Sequence, residues 1–197
     1  MPKKILLSLF LPLMLLLSAC SMGGFKPDHK YKIESFDSTN QHNEQVSLDD
    51  LKGTVWIAQF VFTNCDNVCL PMMANMADLQ KQLQDEGIED YKIVSFSVDP
   101  EFDSPEVLQD YLEAFDPVDP SKWEMLTGYS QETIENLAIG SFKTFVTKTP
   151  NDVIHGSGFS LVNKDGVSVK TYNGAEDVPY DQMVKDIKAL IKEEAKS

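Results

Sequence analysis

TVWIAQFVFTNCDNVCLPM, residues 54–72, opens with a nine-residue run of β-branched, aromatic and largely apolar character, Thr54 to Phe62. A polar break follows, and then two cysteines, Cys65 and Cys69, four positions apart. A run of that kind fits a central strand buried on both faces of a sheet. Beyond it Met72, Met76, Leu79 and Leu83 recur at spacings of three and four until Gly87 stops the pattern. That periodicity predicts an amphipathic helix ending at a glycine. A buried strand handing over to a helix through two cysteines decides the class of fold.

The flanking segments continue the alternation. YKIVSFSVDP (91–100) reads as a second buried strand, and Ser104-Pro105-Glu106 as a helix start with a capping serine and a first-turn proline. That helix is expected to reach about Phe115. WEMLTGY (123–129) reads as a short strand, and Ser130 caps a helix through about Phe142. FSLVNKDGVSVKTY (159–172) alternates around Asn163–Gly166, a hairpin signal, and a last helix begins at Pro179 with an apolar stripe from Tyr180 to Ile191. Upstream, YKIESFDSTNQHNEQVSL (31–48) predicts a short hairpin turning at Ser38-Thr39-Asn40, and Leu51-Lys52-Gly53 a turn.

The order predicts an α/β domain over residues 33–197 with a largely parallel sheet and right-handed crossovers. This is a thioredoxin-like layout with an N-terminal hairpin extension and a C-terminal β-hairpin plus helix. The cysteine pair falls after the first central strand, where that layout keeps its active site.

The N-terminus indicates the compartment. MPKKILLSLFLPLMLLLSAC has two lysines, a thirteen-residue apolar stretch (Ile5 to Leu17) and small residues before Cys20. The stretch is too short for a stable span of a bilayer core about 30 Å thick. It fits a signal peptide over residues 1–19. LSAC resembles the lipobox of bacterial lipoproteins, which implies that Cys20 is acylated and that the protein is lipid-anchored on the extracytoplasmic face of the membrane. Residues 20–32, with Gly23, Gly24 and Pro27, read as a tether.

The formal charge is −14, and it becomes −16 for the chain from Cys20 onward, with 15 basic against 31 acidic residues. So acidic a surface argues against nucleic acid and against direct adhesion to anionic lipid. In an oxidising compartment Cys65 and Cys69 can form a structural disulfide, a redox couple or part of a metal site. Both on one helix face, near its N-terminus, they would have lowered pKa values, which serves redox and metal chemistry alike. A bridge closing so short a loop removes little chain entropy, and C-x-x-x-C is one residue longer than the usual C-x-x-C redox motif.

The chain's three histidines are His29, His42 and His155. Two cysteines and one histidine fall short of a structural zinc site, which takes four ligands. They suit copper better, as Cu(I) or Cu(II). His29 lies in the tether and His42 in a polar turn, both expected in solvent. His155 stands in DVIHGSGF (152–159), a small-residue loop. There Gly156 and Gly158 suggest a close approach to the backbone. In a thioredoxin-like fold that loop packs beside the helix after the cysteines.

FVFTNCDNVCLPM (60–72), FSVDPEFDSPEVLQDYLEAF (96–115), WEMLTGYSQETIENLA (123–138) and VIHGSGFSLVNKDG (153–166) together resemble the Sco (SenC) family of copper-binding proteins. The resemblance covers the domain from about Tyr31 to the last helix. It implies copper ligands at Cys65, Cys69 and His155, and a role in assembling the dinuclear copper A centre of cytochrome c oxidase subunit II. A thiol reductase or another copper carrier are further partners it implies. The same residues leave a second activity open: thiol-disulfide reduction by Cys65 and Cys69 as a catalytic redox couple. Asp99 is a candidate for supporting the site from the adjoining strand end. Where the family commonly has proline directly after the second cysteine, this chain has Leu70, with Pro71 next.

Overall fold

The computed structural model describes residues 24–195 apart from Asp66 and Asn151. The segment read as a signal peptide, residues 1–19, and Cys20, the expected acylation site, lie outside the described residues.

Among the described residues, ten strands and five α-helices follow one another. β1 (Tyr31–Lys32), β2 (Asp37–Asn40), β3 (Gln45–Ser47) and α1 (Leu48–Leu51) precede the central β4 (Val55–Val61). Next come α2 (Cys69–Asp85), β5 (Tyr91–Ser97), α3 (Pro105–Glu113), β6 (Trp123–Thr127) and α4 (Gln131–Leu137). α4 runs on into a π-helical turn, Ala138–Phe142. The chain closes with β7 (Val146–Lys148), β8 (Val153–His155), β9 (Gly158–Val162), β10 (Val167–Asn173) and α5 (Tyr180–Glu194).

Eight strands form one sheet in the order β1-β10-β9-β4-β5-β6-β2-β3, while β7 and β8 pair separately. The fold is thioredoxin-like α/β, as the alternation of elements predicts. The sheet is less parallel than expected: only β4–β5 and β5–β6 run parallel, and the other pairings are antiparallel. Hairpins need only short turns, whereas each parallel pair needs a helical crossover, and the sequence supplies two such crossovers.

Every residue of β4 is buried, because the strand is covered on both faces. On one face Gln59 hydrogen-bonds the Met73 sulfur of α2 and Ser95 of β5, and Trp123 Nε1 donates to the same Ser95 hydroxyl. On the other, Trp56 and Phe60 meet Phe142 of the π-helical turn edge-on at 6.2 and 5.2 Å between centroids. Met72, Met73 and Met76 are wholly buried, so the helical stripe is core packing.

Local chemistry sets the element ends. Ser104 Oγ and Ser130 Oγ accept from Val107 N and Thr133 N and so cap α3 and α4. α2 stops at Gly87, whose φ of +65° favours glycine.

Three segments depart from the sequence expectation. The first hairpin turns at residues 41–44, because the Asn40 side chain accepts from His42 N and Glu44 N and Asn43 takes a left-handed φ of 61°. Ser38-Thr39-Asn40 is therefore strand. The stretch read as tether contributes Tyr31 and Lys32 to the sheet edge, paired with β10. Residues 153–155, read as loop, are strand β8, held to β7 in register Val146↔His155.

Candidate metal centre

Three elements deliver the candidate residues. Cys65 lies in the loop leaving β4, Cys69 is the first residue of α2 and His155 is the last of β8. The two cysteines therefore do not share a helix face as expected; the loop ends just before Cys69, with Val68 as the capping position. Their sulfur atoms and an imidazole nitrogen nevertheless lie within 4.8 Å of one another. Both cysteines are free thiols. Cys69 is wholly buried, and Cys65 and His155 are each only 8% exposed.

The His155 tautomer follows from its partners. Nδ1 lies 3.0 Å from the Gly156 carbonyl, which can only accept, so Nδ1 carries the proton. Nε2 is left unprotonated, with its lone pair facing Cys69 Sγ at 3.2 Å. A ring oriented through one nitrogen and open at the other is the arrangement of a metal-ligating histidine. Burial holds the imidazole pKa below its ordinary value, opposed by the Gly156 hydrogen bond and Asp152, so the ring is neutral at neutral pH. Phe62 packs edge-on against it at 5.8 Å.

The thiol electrostatics overturn one expectation. Burial, reinforced by the hydrogen bond with Cys65, pushes the Cys69 thiol well up, although a Phe62 backbone contact opposes it. Position at a helix N-terminus does not make this thiol acidic, because desolvation of a wholly buried sulfur outweighs one end of a helix dipole. Leu70, in place of proline, projects into solvent at 49% exposure, and Pro71 sits in the first helical turn, where its missing N–H costs nothing.

Other candidate residues lie elsewhere. His29 Nε2 contacts Ser168 Oγ at 3.0 Å and its ring stacks on Tyr31 at 4.2 Å, so it is half-buried packing; His42 is exposed in the first hairpin turn. Asp99 contacts Lys148 Nζ at 2.7 Å. Lys148 also meets Glu101 at 2.6 Å, and its backbone N–H donates to Glu135. Asp99 thus fastens β7, whose partner strand ends in His155.

A closer support, absent from the sequence reading, is Asp103. It is wholly buried and accepts from Thr63 Oγ1 at 2.6 Å and from Ser97 Oγ at 2.5 Å. Thr63 stands two residues before Cys65, so Asp103 pins the cysteine loop to the end of β5. In sequence, an aspartate before Ser104-Pro105 looks like part of a helix cap, which hides this role. The close approach suggested by Gly156 is real and internal: a Cβ there would run into Thr144 Oγ1.

The chain that carries this geometry has counterparts among known proteins. The family model described as SCO1/SenC matches residues 26–192. The chain belongs to the SCO1/SenC family. It is 47% identical to the SCO1 protein homolog of Bacillus subtilis (strain 168) over 177 residues, 89% of this chain and 91% of that one. A crystal structure of a SCO1/SenC family lipoprotein from Bacillus anthracis superposes with a TM-score of 0.80 at 42% identity, covering 84% of this chain and 99% of that one.

BsSco, described as a member of the Sco family of cytochrome c oxidase assembly proteins with a disulfide switch, gives 0.77 at 46% identity, covering 85% and 97%. Arabidopsis thaliana ScoI, solved with copper bound, gives 0.68 at 25% identity, covering 81% and 98%. Within the SCO1/SenC family, then, this chain is similar both to a lipoprotein and to a copper-bound member.

Proposed function

We propose that this chain is a copper metallochaperone that holds one copper ion through Cys65 Sγ, Cys69 Sγ and His155 Nε2. It delivers the ion to the dinuclear copper A site of cytochrome c oxidase subunit II. The observation that carries this reading is the convergence of those three atoms from three separate elements. The donor set suits the cargo: thiolates and a neutral imidazole are the soft and borderline ligands that copper prefers. Three protein ligands also leave room for an incoming thiolate, so the ion can leave by ligand exchange. Acylation of Cys20 would hold the domain at the extracytoplasmic face of the membrane, in keeping with its lipoprotein relative.

The test is anaerobic titration of the reduced protein with Cu(II). One stoichiometric sulfur-to-copper charge-transfer signal is expected in the native chain and none in His155→Ala. An unchanged signal in that variant would remove His155 from the site.

A second reading is favoured by the two free thiols lying side by side. As a thiol-disulfide reductase, the less buried Cys65 attacks the target disulfide as thiolate and forms a mixed disulfide. Cys69 then resolves it. The target gains two thiols and the chain keeps a Cys65–Cys69 disulfide. His155→Ala is expected to leave this activity largely intact, which separates the two readings.

A further inference from the structure

β7 and β8 pair apart from the eight-stranded sheet, so no strand pairing among the described residues fixes how far His155 stands from the cysteines. Cys69 and His155 also lie 86 positions apart in the chain. Both sides of the site are nevertheless gripped by one short turn, Asp99 to Asp103, between β5 and α3. The turn is closed on itself. The Asp99 carbonyl accepts from Phe102 N at 3.0 Å and from Asp103 N at 2.9 Å, and Asp99 N donates to Ser97 Oγ at 3.2 Å. It is also fastened to the sheet, by Val98 N donating to the Val61 carbonyl of β4 at 2.9 Å and by Thr127 Oγ1 of β6 donating to the Asp103 carbonyl at 2.8 Å.

The two carboxylates of the turn reach different halves of the site. Asp103 divides its oxygens: Oδ1 accepts from the Thr63 hydroxyl at 2.6 Å and Oδ2 from the Ser97 hydroxyl at 2.5 Å, so it spans from the end of β5 to the cysteine loop. Asp99 Oδ1 holds Lys148 Nζ at 2.7 Å. Lys148 in turn pairs with Val153 in the β7–β8 register, two residues before His155. Hydrogen bonds to a carboxylate are short and strong, and a turn closed in this way leaves little slack between its ends.

We propose that the Asp99–Asp103 turn is a bracket that sets the gap between the two sulfurs and His155 Nε2: Asp103, through Thr63, positions the cysteine loop, and Asp99, through Lys148, positions the imidazole. Neither carboxylate is a ligand; each acts through its partner. Loosening one arm therefore displaces one set of ligands and leaves the other in place. The inference rests on the reading of Cys65, Cys69 and His155 as a copper site.

Asp103 is wholly buried, so each arm is best cut in the full chain at its less buried partner, Thr63 or Lys148. Thr63→Val keeps the side-chain shape and loses the hydroxyl; Lys148→Met keeps an unbranched stem and loses the ammonium. Each is expected to weaken copper binding about tenfold, the low end for a residue that orients a ligand from outside. Spectra of the Cu(II)-loaded variants separate the arms. Thr63→Val should lose intensity in the sulfur-to-copper charge-transfer band and keep the imidazole nitrogen coupling in electron paramagnetic resonance. Lys148→Met should do the reverse. Thr63→Ser and Lys148→Arg, which restore the hydroxyl and the charge, are expected to recover native binding. Native affinity with native spectra in either Thr63→Val or Lys148→Met would overturn the inference.

If the native chain gives no stoichiometric copper band, the proposed function fails by itself. The bracket is then read in the reduced, metal-free chain from the NMR signals of the His155 ring: displacement in Lys148→Met upholds it, and unmoved signals remove it.

Discussion

Cys69 is both a candidate ligand and a poor acid, and the two facts together set a pH dependence. Burial keeps its thiol protonated through neutral pH, so copper must expel that proton on binding. Apparent copper affinity is expected to weaken as pH falls, by about tenfold per unit for each proton released. His155 adds nothing to that slope near neutrality, because burial holds its pKa below the ordinary 6.5; it steepens the fall only in more acidic solution. Competition with a Cu(I) chelator across a pH series measures this. A flat profile would mean that Cys69 binds no metal or is already ionised. Cys65, Cys69 and His155 were all legible as candidates, since they are rare residue types with few alternatives. Thiol acidity was not, because a helix-terminus argument counts a local dipole whereas desolvation depends on everything packed around the sulfur.

At the scale of elements, the β7–β8 hairpin presents His155, and its fit against the segment before it is tight. Gly156 N donates to the Phe145 carbonyl, and Thr144 Oγ1 occupies the space a side chain would need. Gly156→Ala is expected to cost about 1–3 kcal/mol through overpacking and to weaken copper binding by displacing His155. Adding Thr144→Ala should recover most of both in urea unfolding and copper titration. α5 is fastened differently. Asp186 accepts from Lys170 Nζ at 2.8 Å, Tyr172 Oη at 2.9 Å and Gln182 Nε2 at 2.8 Å.

Burial pushes the Asp186 carboxyl up, yet Lys170, Gln182 and Tyr172 together hold it below its ordinary 3.8. Its contribution is therefore present above that value and disappears as pH falls through the depressed folded pKa. Asp186→Asn should lose about 2 kcal/mol at neutral pH, a gap that closes in acid; a gap independent of pH would show that the charge is irrelevant. The helices and the β9–β10 hairpin were readable from periodicity and turn residues. β8 was not, because three residues carry no periodicity and exist as strand only through pairing with β7.

Across the whole molecule, the aromatic layer on the face of β4 and β5 opposite α2 holds the sheet to its π-helical cover. Phe96 is wholly buried and meets Phe36, Phe60 and Phe142 at 5.3, 5.4 and 5.9 Å between centroids. Phe96→Ala is expected to cost about 3–5 kcal/mol, a large share of the 5–15 kcal/mol typical of a domain. Loss of cooperativity in urea unfolding followed by tryptophan fluorescence would register it.

The sequence by itself determined the α/β class, the strand that leads into the cysteines, the helix after them and the short list of possible ligands. Each of these is written in local periodicity, turn chemistry or residue rarity. Only the tertiary structure decided that His155 joins the cysteines while His29 packs on Tyr31, that Asp103 and Lys148 hold the two sides of the site, and that Cys69 is a buried, weakly acidic thiol. Those outcomes depend on which distant segments the sheet brings together and how much water it excludes, quantities to which no short stretch of sequence is sensitive.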